Sequence, residues 1–270
     1  EAMRPVLMPG MYHWSCASVP GRGGKRVSKY IRRILRDDPK GSKYAGELDI
    51  KSYYPSIPIR RLIWALARKI KDKRFLRTVY SILESCGGGL AIGYYICQWL
   101  ANYYLEVLEN YILALPGVKY MERHMDNINI FGPNKKKLHK ARTLIAEFMT
   151  KRLGVTMKGN WQIYPVAKRM VRAVGYRFAR THTTLRKRNF LRFTRQCRRA
   201  QKKIDAGAPI SHQLASGLLS RIGQLKHCDS HKIRVKYVDP IGVKNLKEVV
   251  RHESKRRRAA QRLVHAGGAA

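Results

Sequence analysis

Acidic residues are scarce in this chain. Its 270 residues hold 17 Asp and Glu against 56 Lys and Arg, a formal charge of +39. Self-repulsion at that level destabilises an isolated fold, and the simplest compensation is a polyanionic partner, nucleic acid above all. An anionic membrane surface would call for one amphipathic basic helix. Here the charge runs the length of the chain and thickens after Gly154, so the last third reads as a grip and no membrane is expected as a partner.

Cysteine is sparse too. Cys16, Cys86, Cys97, Cys197 and Cys228 are odd in number and far apart, with no CxxC. That excludes a disulfide framework and fits a reducing cytoplasm. The run HCDSH offers His227, Cys228 and His231, yet no second cluster accompanies it, so an ordinary surface segment is favoured over a metal site. No long apolar run is free of polar groups. The longest, Gly87 to Leu108, contains Gln98, Asn102 and Glu106. Three polar side chains in hydrocarbon would be costly, so this stretch is expected to be a buried loop and helix. No secretory signal is expected at Glu1, and no internal repeat is found. Hydrophobic content of 44% is ordinary and argues for a folded protein with a real core.

Periodicity and breakers sketch the elements. Val19 to Arg26, VPGRGGKR, reads as a flexible basic loop, followed by a short helix over Ser28–Leu35. Lys43 to Ile50, KYAGELDI, reads as a strand, and Pro55 and Pro58 break the chain after it. Helices are expected over Arg60–Lys71, Lys73–Ser85 and about Tyr94–Leu113, with CGGG from Cys86 as a tight loop between the last two. YMERHMDNINIFG, from Tyr120 to Gly132, reads as a hairpin with Asp126 at its tip. Asn134 is the expected cap of the next helix, whose Leu138, Ala141, Ile145 and Phe148 recur at helical spacing. Val171–Phe178 and Thr183–Lys187 are expected strands. From Arg188 to Ile204 a helix would set Phe190, Phe193, Cys197, Ala200 and Ile204 on one side. Arg188, Arg192, Arg195, Arg199 and Lys202 would line another, a face suited either to solvent or to nucleic-acid backbone phosphates. The basic segment beginning SKRRR is expected to fray.

Two carboxylates carry the chemistry. Asp49 ends an apolar strand and Asp126 tips an apolar hairpin. Either one alone is best read as a turn residue. Presented together by adjacent strands, they can hold a pair of divalent cations about 3.5–4 Å apart, the arrangement that activates an attacking hydroxyl and stabilises a leaving phosphate oxygen. Mg²⁺ prefers such hard oxygen ligands. A cationic chain with one anionic point suits phosphoryl transfer on nucleic acid.

Five segments then carry a family resemblance. LDIKSYYPSI (Leu48 to Ile57) resembles motif A of reverse transcriptases, and GLAIGYYICQWLANYYLEVLE (Gly89 to Glu109) resembles motif B. HMDN (His124 to Asn127) occupies the place of the YxDD box. LGVTMKGN (Leu153 to Asn160) is similar to motif D, and VGYRF (Val174 to Phe178) to the primer-gripping segment. The resemblance implies an α+β right-hand polymerase with an antiparallel palm sheet packed on helices and a helical thumb. Residues 1–42 would be partial fingers, 43–178 the palm with fingers helices inserted at about 60–90, and 179–270 a basic thumb and tail.

It also implies roles. Asp49, the Ile50 carbonyl and Asp126 would bind two Mg²⁺ ions, with Mn²⁺ as a substitute, and Asn127 stands where the family has a second acid. Lys158 would be the general acid for the departing pyrophosphate. Tyr54 matches the position whose ring would clash with a ribose 2′-OH and so select dNTPs. Ile92, Gly93, Gln98, Arg22 and Lys25 would contact the nucleotide, and Gly175, Tyr176 and Arg177 the primer. Template RNA and a primer or cDNA strand are the implied partners.

Motif B narrows the subclass. Ile92-Gly93, then Cys97-Gln98, resembles the reverse transcriptases of diversity-generating retroelements in bacteria and phages, in which a branched residue and Gly precede Ser-Gln. Those enzymes make error-prone cDNA, and some work with a small basic accessory protein. The alternatives are a group II intron-like or antiphage-defence enzyme, or a weakened polymerase fold kept as an RNA-binding scaffold. Three departures stand out. Asn127 replaces an acid, Cys97 replaces Ser, and family members carry more chain ahead of the fingers. The sequence is therefore expected to be either trimmed or reduced and reliant on a partner's surface.

Overall fold

A computed structural model describes residues 3–85 and 87–267, with side chains through Arg256. Glu1 and Cys86 lie outside the described residues. The chain divides into two compact units. The first runs through Val174 and includes Phe178–Thr181, and the second holds Gly175–Arg177 and the chain from His182 onward.

The first unit is built on four antiparallel strands: β1 (Tyr44–Asp49), β2 (Tyr120–His124), β3 (Asn127–Gly132) and β4 (Gln162–Pro165). Their order across the sheet is β2-β3-β1-β4. Alternation along the strands separates two faces. Leu48 pairs with Ile128, and Met121 with Ile130, so these apolar residues share one face. All four are buried, and full burial of such a side chain is worth about 1.5–3 kcal/mol. Gly46 pairs with Ile130 between them, where a Cβ would meet Ile130 Cγ1 at 2.8 Å. A glycine there leaves room for the Ile130 side chain.

Helices complete the unit. In chain order they are α1 (Arg4–Leu7), α2 (Gly24–Asp37), α3 (Tyr53–Ser56), α4 (Ile59–Ala67), α5 (Lys73–Glu84), α6 (Tyr95–Tyr104), α7 (Glu106–Ala114) and α8 (Lys135–Phe148). Leu100, Leu108, Ile112, Leu138, Ala141 and Ile145 join Leu48 and Ile130 in one core. Asn134 caps α8 as expected, its Oδ1 accepting from Lys137 N at 3.1 Å. Phe148, expected in the core, is half-buried and stacks on Tyr111 at 4.2 Å.

The second unit is helical: α9 (Lys187–Asp205), α10 (His212–Leu225), α11 (His231–Tyr237) and α12 (Val243–Gly267). Phe193, Cys197 and Ala200 of α9, Leu214, Leu218 and Ile222 of α10, and Leu246 of α12 are buried. Asp229 ties the strand Thr183–Leu185 by accepting from Thr183 N at 2.7 Å.

Several sequence expectations are corrected. The VPGRGGKR loop ends early, because α2 already begins at Gly24 and includes Lys25. Pro55 sits inside α3, where a first turn tolerates a missing N–H. The long motif B helix breaks at Leu105, whose ψ of 0° ends α6 and starts α7. The strand expected over Val171–Phe178 is divided into Val171–Ala173 and Tyr176–Phe178 by Val174 and Gly175, at φ of 41° and 87°. Strand β4 has no counterpart among the elements expected from periodicity. The segment beginning SKRRR continues as helix α12 to Gly267, and residues 268–270 lie outside the described residues. Among the described residues no helix is long and apolar enough to cross a membrane.

Candidate active site

Asp49 and Asp126 meet at one end of the sheet. Asp49 is the last residue of β1 and pairs with Asn127, the first of β3. Asp126 lies in the turn immediately before, and its carbonyl accepts from Ile50 N at 3.2 Å. The segment after α8 closes the other side: Lys51 N bonds to Thr156 O and Lys158 N to Asp49 O, both at 2.8 Å. The segments Leu48–Ile57, His124–Asn127 and Leu153–Asn160 thus share one hydrogen-bonded backbone.

The turn that carries Asp126 is strained. Only Met125 and Asp126 separate β2 from β3, and Met125 has φ of 59°. A side chain in that region costs about 1–2 kcal/mol, and the turn is held by what surrounds it. Arg123 Nη1 donates to Met125 O at 2.9 Å, and Tyr54 Oη donates to Met125 Sδ at 3.5 Å. Arg123 is fully buried. Its Nε meets Glu109 Oε1 at 2.5 Å, its Nη2 donates to Ser15 Oγ at 2.6 Å, and its Nη1 also reaches Asn102 Oδ1 at 3.1 Å. Sequence reasoning missed this residue. The signal was there: an arginine at a core-facing register of an apolar hairpin, and a glutamate within an apolar helix.

The electrostatics suit a cation. Asp49 Oδ2 accepts from Lys158 Nζ at 2.8 Å, while Asp49 Oδ1 is buried with no hydrogen-bond partner. Asp126 Oδ1 accepts from Asn127 Nδ2 at 2.9 Å. Burial pushes the Asp126 carboxyl above its usual range, and the Asp49 charge adds to the rise, opposed by Lys158 and Asn127. An orphaned buried carboxylate oxygen beside a second carboxylate, with a backbone carbonyl at Ile50 between them in sequence, is a donor set of the kind Mg²⁺ and Mn²⁺ take. The residues present fit a divalent metal. Among the described residues no group of three His, Cys, Asp or Glu could hold a metal, at this cluster or at HCDSH, so the set rests on two carboxylates and a carbonyl.

Tyr54 joins this cluster from α3. It is half-buried, and burial raises its phenol, with Cys97 and Asp126 adding to the rise. Motif B crosses directly above, with Leu90 N bonding to Tyr54 O at 2.9 Å. A Cβ on Gly89 would lie 2.4 Å from Pro55 O, so glycine is obligatory at the crossing. Ile92 is 82% exposed, Gly93 has φ of 109°, and Gln98 is half-buried on α6.

Of the other expected residues, Arg22 and Lys25 lie in the N-terminal part of the first unit. Arg22 donates to Tyr12 O at 2.8 Å and, more weakly, to Ser15 O at 3.5 Å, so its guanidinium braces the N-terminal loop. Lys25 is exposed on the first turn of α2. Gly175, Tyr176 and Arg177 belong to the second unit. There Gly175 O accepts from Arg186 N at 2.9 Å, and Tyr176 Oη donates to Gln224 O at 3.0 Å. Arg188, Arg192, Arg195, Arg199 and Lys202 are all exposed on α9, opposite buried Phe193, Cys197 and Ala200. Phe190 is only half-buried and Ile204 is 37% exposed, so the apolar stripe is narrower than expected.

By sequence, the chain matches no protein-family model and no curated protein. Among solved structures it is similar to the apo telomerase of Candida tropicalis, with a TM-score of 0.52 at 12% identity over 96% of this chain and 49% of that one. It is also similar to the telomerase of Candida albicans in complex with a fragment of telomeric RNA, with a TM-score of 0.50 at 9% identity over 83% of this chain and 45% of that one. The chain therefore spans about half the length of these telomerases. At such identities the likeness shows the fold alone, and that fold is reverse-transcriptase-like.

Proposed function

We propose that the chain is an RNA-directed DNA polymerase that extends a primer on an RNA template. The observation that carries this reading is the convergence of Asp49 and Asp126 at one end of the sheet, in a chain of charge +39. Two carboxylates in so cationic a setting repel a bound phosphate backbone unless divalent cations intervene. Asp49, Asp126 and the Ile50 carbonyl would hold two Mg²⁺ ions, which when bound activate the primer hydroxyl and stabilise the leaving oxygen. The Tyr54 ring excludes a ribose 2′-OH and selects dNTPs. Lys158 holds a proton at Nζ for the departing pyrophosphate. The first unit then corresponds to palm and fingers, and the helical second unit to a thumb. Gly175–Arg177 orient the primer, and the exposed α9 arginines bind backbone phosphates.

Primer extension on an RNA template with dNTPs and Mg²⁺ tests this. The parent extends the primer and Asp49→Ala does not. Absence of extension by the parent, with RNA binding intact, would instead favour the reading of a polymerase fold kept as an RNA-binding scaffold, to which the uncharged Asn127 lends weight.

Within the polymerase reading, the Ile92-Gly93 and Cys97-Gln98 pattern points to error-prone cDNA synthesis of the diversity-generating retroelement type, ahead of group II intron-like or antiphage-defence enzymes. Such an enzyme would work in the cytoplasm of a bacterial or phage-infected cell, with a small basic accessory protein as a further partner. An apolar Ile92 withholds a polar contact from the incoming nucleotide, and one hydrogen bond is worth about 1 kcal/mol. Ile92→Gln is expected to lower misincorporation opposite template adenines several-fold, measured by sequencing the cDNA. Identical error spectra would remove this explanation.

A further inference from the structure

A second feature of the first unit has the chemistry of a ligand site and shares no residue with the carboxylate cluster. It is a groove of about 790 Å³ between α4, the junction of α6 and α7, and the end of α8. That volume lies in the range of small-molecule sites, about 300–1,000 Å³. Trp64, Tyr103 and Phe148 supply aromatic surface, and Arg61, Arg68 and Arg152 supply charge.

The arrangement on α4 follows from helical spacing. Leu62 and Leu66 are buried, which turns Arg61, Trp64 and Arg68 outward. Trp64 is 71% exposed, unusual for so large an apolar ring, and the Arg68 guanidinium stands over it at 5.9 Å. Across the groove, Tyr103 is fixed by its Oη bond to Ala65 O at 2.8 Å, and the Lys69 ammonium lies over its ring at 4.8 Å. The groove's single acid, Glu106, is already neutralised by Lys69 at 3.2 Å. Among the described residues no carboxylate pairs with Arg61, Arg68 or Arg152.

We propose that this groove binds single-stranded nucleic acid, with a base stacked on Trp64 and flanking phosphates on Arg61, Arg68 and Arg152. Aromatic platforms interleaved with cations that have no carboxylate partner match a ligand that presents flat π faces and negative charge together. A duplex hides its base faces, so a single strand is the fitting form. A protein partner would have to be acidic and aromatic at once to satisfy the same surface. The inference stands apart from the catalytic reading, since it concerns binding at residues outside the carboxylate cluster.

The test uses the full chain and three probes: short oligouridine RNA, short oligothymidine DNA, and heparin, which carries charge without bases. Trp64→Ala is expected to weaken oligouridine or oligothymidine binding about tenfold and to leave heparin binding unchanged. Trp64→Phe is expected to restore most of the loss. Arg68→Ala is expected to weaken all probes that bind and to flatten the salt dependence by about one phosphate contact. Photocrosslinking with bromouridine-substituted RNA is expected to map to the α4 peptide. Because Trp64 is largely exposed, the variant should keep its fold, checked by circular dichroism. The crosslink to α4 is expected to form with or without divalent cations, which separates its outcome from that of primer extension. Unchanged oligonucleotide affinity in Trp64→Ala, or crosslinks mapping only to other segments, would overturn the proposal and leave the groove to a protein partner.

Discussion

Lys158 is bonded twice to Asp49: its ammonium stands 2.8 Å from Asp49 Oδ2, and its backbone N–H donates to the Asp49 carbonyl at the same distance. The side chain read as a general acid therefore rests on the carboxylate read as a metal ligand. An ammonium and a dication compete for one oxygen, and the competition has two measurable consequences. In Lys158→Gln, the Mg²⁺ concentration for half-maximal extension should fall, because Asp49 is released. The maximal rate should also fall, by roughly 10²-fold, the usual scale for loss of a positioned acid. Titration of extension rate against Mg²⁺ checks both. An unchanged maximal rate would remove the general-acid role and leave Lys158 as a neutralising partner only.

The buried Arg123–Glu109 pair makes a second prediction. Both side chains are essentially inaccessible to solvent. Arg123→Met leaves Glu109 buried and unpaired, and this should lower stability by about 3–5 kcal/mol in urea denaturation. The double variant with Glu109→Leu should recover much of that, since an apolar pair needs no compensation. If the double variant is no better than the single one, the dominant role of Arg123 lies in its bonds to Met125, Ser15 and Asn102.

Glu122 gives stability a pH dependence. It is fully buried on β2, accepts from Asn129 Nδ2 at 2.9 Å, and burial pushes its carboxyl up to about 7 from the ordinary 4.5. Between those values the native chain keeps a proton that the unfolded chain has released. Stability from this group is therefore full below pH 4.5 and falls as pH rises towards 7, levelling off above. Glu122→Gln can keep the bond to Asn129 and cannot titrate. Its stability relative to the parent should rise across that window, by an amount approaching about 3 kcal/mol. Parallel stability profiles for the two chains would show that Glu122 ionises freely.

The site was more legible in the sequence than its supports. Asp49 and Asp126 stand out because carboxylates are rare and each ends an apolar run, and the Asn134 cap and the faces of α8 and α9 follow from local spacing. The supports depend on partners distant in the chain. Arg123 can be buried only because Glu109, Ser15 and Asn102 converge on it, and no pattern within β2 announces that. Strand β4 is four residues long, and its identity comes from pairing with β1, where Tyr164 faces Ala45. Its Tyr164 hydroxyl also bonds to Glu47. The early start of α2 was hidden by the Gly23-Gly24 pair, which reads as loop although only Gly23 lies outside the helix. Met125 at positive φ could not be foreseen from a residue type that avoids it.

The claim on which the account rests is that Asp49 and Asp126 act as one divalent-cation site. Mn²⁺ binding, followed by electron paramagnetic resonance with primer–template and dNTP present, tests it most directly. The parent should bind Mn²⁺, Asp49→Asn and Asp126→Asn should each weaken binding about tenfold or more, and Asn127→Asp should tighten it by adding a hard anionic oxygen. Equal Mn²⁺ affinity in the parent and both Asn variants would contradict the account.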